Sequence, residues 1–191
     1  SIGTAFSADG TKVLFLSKAN TLVDNDNNAK IDVFIKDLKT GEVTLVSTNG
    51  SPEGFNDDSD AIAISADGTK VLFDSNATNI FAGDTNNATD VFVKDLETGE
   101  ITHVNVDSNG SSDGGGIAVG ISADGTKILF DSLSSNLVPN DTNGKDDLFV
   151  KDIKTGEIIR VTTSKDGAES NGNSEGYALS ADGTKVLFAS N

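Results

Sequence analysis

Apolar residues fall in short, evenly spaced bursts separated by polar stretches. The runs Val13-Leu14-Phe15, Val71-Leu72-Phe73, Ile128-Leu129-Phe130 and Val186-Leu187-Phe188 are one element seen repeatedly. A small and apolar run precedes it, as in Ala61-Ile62-Ala63-Ile64 or Tyr177-Ala178-Leu179. Two more follow, as in Val91-Phe92-Val93-Lys94 and Ile101-Thr102-His103-Val104. These runs are rich in Val, Ile, Phe and Thr and bounded by Gly, Asp, Asn and Ser, which predicts β-strands. No window carries a helical period of useful length.

The spacing is regular. The string Ser-Ala-Asp-Gly-Thr-Lys begins at Ser7, Ser65, Ser122 and Ser180, at intervals of 58, 57 and 58 residues. Asp32, Asp90 and Asp147 open a second recurring string, and Thr40, Thr98 and Thr155 open a third, Thr-Gly-Glu. Agreement of independent landmarks on one period defines an internal repeat. The Ala-Asp-Gly-Thr and Thr-Gly-Glu links read as tight hairpin turns in which Gly supplies a positive φ. Each unit is therefore a four-stranded antiparallel meander.

The second strand of each unit is apolar at consecutive positions, which implies burial on both faces. One small sheet cannot bury two faces; sheets stacked face to face around an axis can. The predicted fold is all-β: three complete four-stranded antiparallel β-propeller blades (1–58, 59–115, 116–173) and a C-terminal two-stranded half-blade (174–191), as one repeat array. A linear stack of sheets and a β-sandwich are the alternatives, and the regular period disfavours the sandwich.

Composition narrows the function. The 191 residues carry a formal net charge of −16, with a pI near 4.2. Nucleic acid and anionic membrane surfaces would repel such a chain, whereas divalent cations would be attracted. The absence of Cys excludes disulfides, thiol catalysis and Cys-based zinc sites. There is no run of 18 apolar residues and no signal-peptide pattern, so no membrane insertion is expected.

A long polar loop joins the second and third strands of each unit, interrupted by one apolar pair: Leu22-Val23, Ile80-Phe81 or Leu137-Val138. A loop of this length needs an anchor, and the pair suits a seat between blades. The pattern Asp-x-Asn-x-x-x-Asp follows in each copy: Asp26, Asn28, Asp32; Asp84, Asn86, Asp90; Asp141, Asn143, Asp147. Hard carboxylate and amide oxygens on alternate loop positions suit calcium better than magnesium, which keeps its waters. Calcium is accordingly the expected cofactor. The competing reading is a bare turn, since Asp and Asn bond to their own backbone and a repeat copies such a turn without any metal. An EF-hand is excluded: no helices flank the loops, and no Gly stands at the sixth position.

Other candidates are weaker. His103 is the single histidine and is absent from the other copies, where Leu45 and Ile159 are taken as its counterparts; it is read as a surface residue. Lys36, Lys94 and Lys151, each followed by Asp, are read as exposed strand charges. No Ser-His-Asp set stands out, and no two of the 30 acidic residues are singled out as a glycosidase pair. The connections between units, 49–60, 108–116 and 164–175, vary more than the strands, as binding loops on a scaffold do. Sequons at Asn49, Asn76, Asn87, Asn109 and Asn140 permit glycosylation.

The strings Ser-Ala-Asp-Gly-Thr-Lys, Val-Leu-Phe and Asp-Val-Phe-Val-Lys-Asp-Leu-x-Thr-Gly-Glu resemble the WD40-like PD40 repeat of TolB-type β-propellers. The longer loop containing Asn79-Ile80-Phe81-Ala82-Gly83-Asp84-Thr85-Asn86 is similar to repeats in large secreted or surface proteins of bacteria. The resemblance covers nearly the whole chain and implies a propeller fold. It specifies function weakly, because propellers carry unrelated activities. The expected function is a secreted, calcium-stabilised structural or adhesive module, extracellular or at the cell surface (periplasm as the alternative), and not an enzyme. The expected partners are further blades or other protein chains completing the half-blade, in a homo-oligomer or fibre. A TolB-like protein-binding propeller and a polysaccharide-active enzyme are the rival readings.

Overall fold

The computed structural model describes residues 1–24, 26–51, 54–81 and 86–190. Its regular structure among these residues is entirely β. The first sheet orders β1 (Ile2–Phe6), β2 (Lys12–Ser17), β3 (Asp32–Asp37) and β4 (Val43–Leu45) as an antiparallel meander. The second repeats it with β5 (Ser59–Ile64), β6 (Lys70–Ser75), β7 (Asp90–Asp95) and β8 (Ile101–His103). The third is built from β9 (Gly116–Ile121), β10 (Lys127–Ser132), β11 (Asp147–Asp152) and β12 (Ile158–Arg160). A two-stranded sheet of β13 (Ser174–Leu179) and β14 (Val186–Ser190) completes the array.

Consecutive apolar residues of the second strand serve opposite faces. Val71 and Phe73 join Leu14, Val33 and Phe92 in a core between the first two sheets. Leu72, between them in sequence, belongs instead to the core with Ile128 and Phe130 between the second and third. Period-2 alternation thus buries both sides of β6. Cross-strand pairs Phe15–Phe34, Phe73–Phe92 and Phe130–Phe149 repeat at ring-centroid distances of 5.5, 5.5 and 5.6 Å. Of the loop pairs, Ile80 enters the first core and Leu137 the second.

The Ser-Ala-Asp-Gly-Thr-Lys string builds both a turn and a seam. Within the turn, Asp67 accepts Ser65 Oγ at 2.6 Å and the Thr69 N–H at 3.0 Å, while Gly68 sits at φ +71°. Between units, the N–H of Ala8 donates to Ala66 O, that of Ala66 to Ala123 O, and that of Ala123 to Ala181 O (3.2, 2.9 and 2.8 Å). One backbone hydrogen bond therefore ties each turn to the next.

Two of the recurring lysines are not exposed strand charges. Lys94 donates to the carbonyl of Thr48, and Lys151 to those of Val104 (2.8 Å) and Val106 (3.0 Å), each in the preceding unit. Both are buried, whereas Lys36 of the first unit is exposed. The sequence pattern does not separate them, because an alternating strand looks alike whether or not a neighbour covers its polar face.

Candidate metal centre in the long loops

The three acids that open the third strands, Asp32, Asp90 and Asp147, are almost wholly buried. Each is held by a side chain two residues beyond the fourth strand. Ser47 Oγ donates to Asp32 at 2.7 Å, Asn105 Nδ2 to Asp90 at 2.7 Å, and Thr162 Oγ1 to Asp147 at 2.5 Å. The same three side chains accept the N–H of Val33, Val91 and Leu148. A polar residue of any of these types closes the bridge, so its identity drifts between copies.

The asparagines staple the loop. The Oδ1 atoms of Asn28, Asn86 and Asn143 accept the N–H two residues on, from Lys30, Ala88 and Lys145. Their amide N–H groups donate to the carbonyls of Phe55, Gly114 and Ser170 in the connection to the next unit. This is the turn chemistry expected of Asn, extended into a tertiary contact. Of the remaining candidates, Asp26 is buried beside Asp32, and Asp141, a partly buried residue with a covered side chain, lies beside Asp147. Asp84 lies outside the described residues.

In the third loop Arg160, the last residue of β12, fills the space between the acids. Its Nη1 lies 3.3 Å from Asp141 Oδ1, 3.5 Å from Asp147 Oδ2 and 2.7 Å from Glu169 Oε1. Glu169 is held by the N–H and hydroxyl of Thr142 (2.7 and 2.8 Å). In the second loop the same strand position is His103. Its ring stacks on Phe81 (5.6 Å) and packs tilted against Phe92 (4.9 Å), and its Nε2 stands 3.5 Å from Asp90 Oδ1. His103 is thus packed inside the unit and is not a surface residue.

In the first loop the position is Leu45, which pairs with Phe34 as His103 pairs with Phe92 and Arg160 with Phe149. The counterpart of His103 is therefore Arg160, not the exposed Ile159. The repeat period itself carries the signal, since 45, 103 and 160 stand 58 and 57 residues apart.

Electrostatics differ accordingly. Asp26 Oδ2, Asp32 Oδ2 and Asp90 Oδ2 are buried without a hydrogen-bond partner. Burial pushes the Asp26 and Asp32 carboxyls above the usual carboxylate range, and the charge of Asp26 adds to the shift of Asp32. Burial also raises Asp141, but there Arg160 pulls in the opposite direction. A buried carboxylate without a countercharge is costly, so the first loop lacks what the third contains. Among the described residues, no three His, Cys, Asp or Glu side chains are placed to hold a metal ion by themselves.

No family model matches the sequence, and no curated protein matches it. Solved structures do. The tricorn protease aligns over 98% of this chain and 15% of its own, at a TM-score of 0.58 and 17% identity. The β-propeller domain of the Trilobed protease from Pyrococcus furiosus, described as an open velcro topology, aligns over 98% and 47% at 0.56 and 17% identity. A putative TolB from Agrobacterium tumefaciens aligns over 98% and 63% at 0.53 and 17% identity. The chain thus spans less than two thirds of each. With the stacked antiparallel sheets, these likenesses define its class by fold alone: a β-propeller.

Proposed function

We propose that this chain is a non-catalytic structural module, a run of propeller blades from a larger secreted or surface assembly, and that calcium stiffens its long loops. One observation carries the metal part: the buried, unpartnered carboxylate oxygens of Asp26 and Asp32 on one loop. Hard oxygen donors suit calcium over softer-ligand metals, and two carboxylates need water and carbonyl oxygens to complete the shell. Asn28 keeps a second lone pair on Oδ1 for that purpose. The exposed apolar residues Ile2 and Phe6 at one end of the array, and Tyr177 and Leu187 at the other, support cover by further blades or other protein chains.

Calorimetry of the chain in calcium and in chelator tests the metal reading. Calcium at a hundredfold excess over its Kd should stabilise the fold by about 2.7 kcal/mol. Identical melting in the two solutions overturns it.

A protein-binding propeller is the second reading, favoured by the exposed apolar side chains of Tyr177, Leu187 and Phe188 on the two faces of the last sheet. Sedimentation of the chain with envelope extracts, compared with a Leu187→Lys, Phe188→Lys variant, distinguishes it. Binding that ignores the variant counts against this surface.

A further inference from the structure

The first and third loops each bury an acid pair but differ in the residue that ends the fourth strand beside it, and that difference matches the state of the carboxylates. With Arg160 in place, both oxygens of Asp147 are engaged: Oδ1 by Thr162, Oδ2 by Asn143 (2.9 Å) and the guanidinium. With Leu45 in the same place, one oxygen of Asp26 and one of Asp32 have no partner at all, although both residues are buried. The guanidinium nitrogen lies within 3.5 Å of both acids of its loop, between them, where a bound cation would sit.

We propose that the last residue of the fourth strand decides which loops take a metal: Arg160 is a built-in cation that replaces it in the third unit, and Leu45 leaves the first unit's Asp26 and Asp32 to a divalent cation. This rests on the calcium reading above and sharpens it. The repeat does not carry three equivalent sites. A leucine cannot neutralise the acids, so their charge is met from solution; an arginine meets it from within the chain, at the cost of the cation's exchangeability. Arg160 also recruits Glu169, whose counterpart in the first unit is Gly54, opposite the matching hydrogen bond from Asn28 to Phe55 O.

The test is calcium stoichiometry by equilibrium dialysis on the whole chain, with Leu45→Arg and Arg160→Leu compared with the unaltered protein. Leu45→Arg should lose one calcium per chain, and its melting temperature should no longer respond to chelator through this loop. Arg160→Leu should gain one, with a new calcium-dependent rise in melting temperature. Arg160→Gln serves if the leucine variant folds only in calcium, and it too should gain a site. Unchanged stoichiometry in every variant of a protein that does bind calcium overturns the proposal while leaving the calcium reading intact. No calcium bound by the unaltered protein sinks that reading, and the first-loop half of the proposal with it. A gain in Arg160→Leu would even then sustain the replacement role of the arginine.

Discussion

The carboxylate of Asp74 accepts the backbone N–H of Ala118 across the seam between the second and third sheets, at 3.0 and 3.2 Å. Ala118 lies on β9, an edge strand, so this N–H finds its acceptor in the neighbouring sheet rather than in a ladder. Asp131 repeats the contact with the N–H of Gly176 at 3.2 Å, while the first sheet has Leu16 in this place. Burial pushes Asp74 up to about 7 and Asp131 up to about 6.

A pH dependence follows. A carboxyl whose folded value exceeds its unfolded value of 3.8 contributes stability that is full below about pH 4 and is lost as pH rises through about 7. Asp74→Asn keeps an acceptor for Ala118 and removes the buried charge. It should be more stable than the unaltered protein by about 2–4 kcal/mol at pH 8 and no more stable at pH 4. Urea unfolding at the two pH values checks this. An equal difference at both would refute the assignment.

The repeated lysines should behave unequally. Lys151→Ala removes the ammonium donor from the Val106 carbonyl and one of two donors from that of Val104, and should cost about 1–3 kcal/mol. Lys36→Ala, at the matching but exposed position, should cost less than about 0.5 kcal/mol. Thermal unfolding of the two variants side by side measures the contrast.

Close approach of the second unit's exit segment to its long loop requires one glycine. A Cβ on Gly115 would stand 2.8 Å from the Thr89 carbonyl and 2.9 Å from Ala88 Cβ, and the backbone atom cannot yield cheaply. Gly115→Ala should destabilise by about 1–3 kcal/mol. Gly3→Ala, where a Cβ meets nothing within 4 Å, should stay within about 0.5 kcal/mol of the original in the same denaturation series.

Phe92 links strand pairing to the candidate site, since its ring meets both Phe73 and His103. Truncating this fully buried ring in Phe92→Ala should cost about 3–5 kcal/mol. Phe6→Ala, on a ring that is 66% exposed, should cost little. Denaturant midpoints that fail to separate the two would contradict the core as drawn.

The strands and their faces were legible because each is specified locally. Val71-Leu72-Phe73 can hide all three side chains only between two other sheets, and that is where they lie. The buried acids Asp26, Asp32 and Asp147 were legible as a spacing. Their partners were not, since Ser47, Thr162 and Arg160 come from other strands and loops and share no local pattern with them. The single histidine drew attention by rarity, yet its meaning lies in a position shared with Leu45 and Arg160.

By itself, then, the order of residues determined the period, the four-stranded unit and the stacking, because turn chemistry and side-chain alternation act within a few residues of chain. Only the tertiary structure decided which lysines are buried, which acids have a countercharge and which hydrogen bonds cross a seam. Those depend on atoms brought within 3–4 Å from distant parts of the chain, and at that range a leucine and an arginine in one position leave opposite charge balances behind.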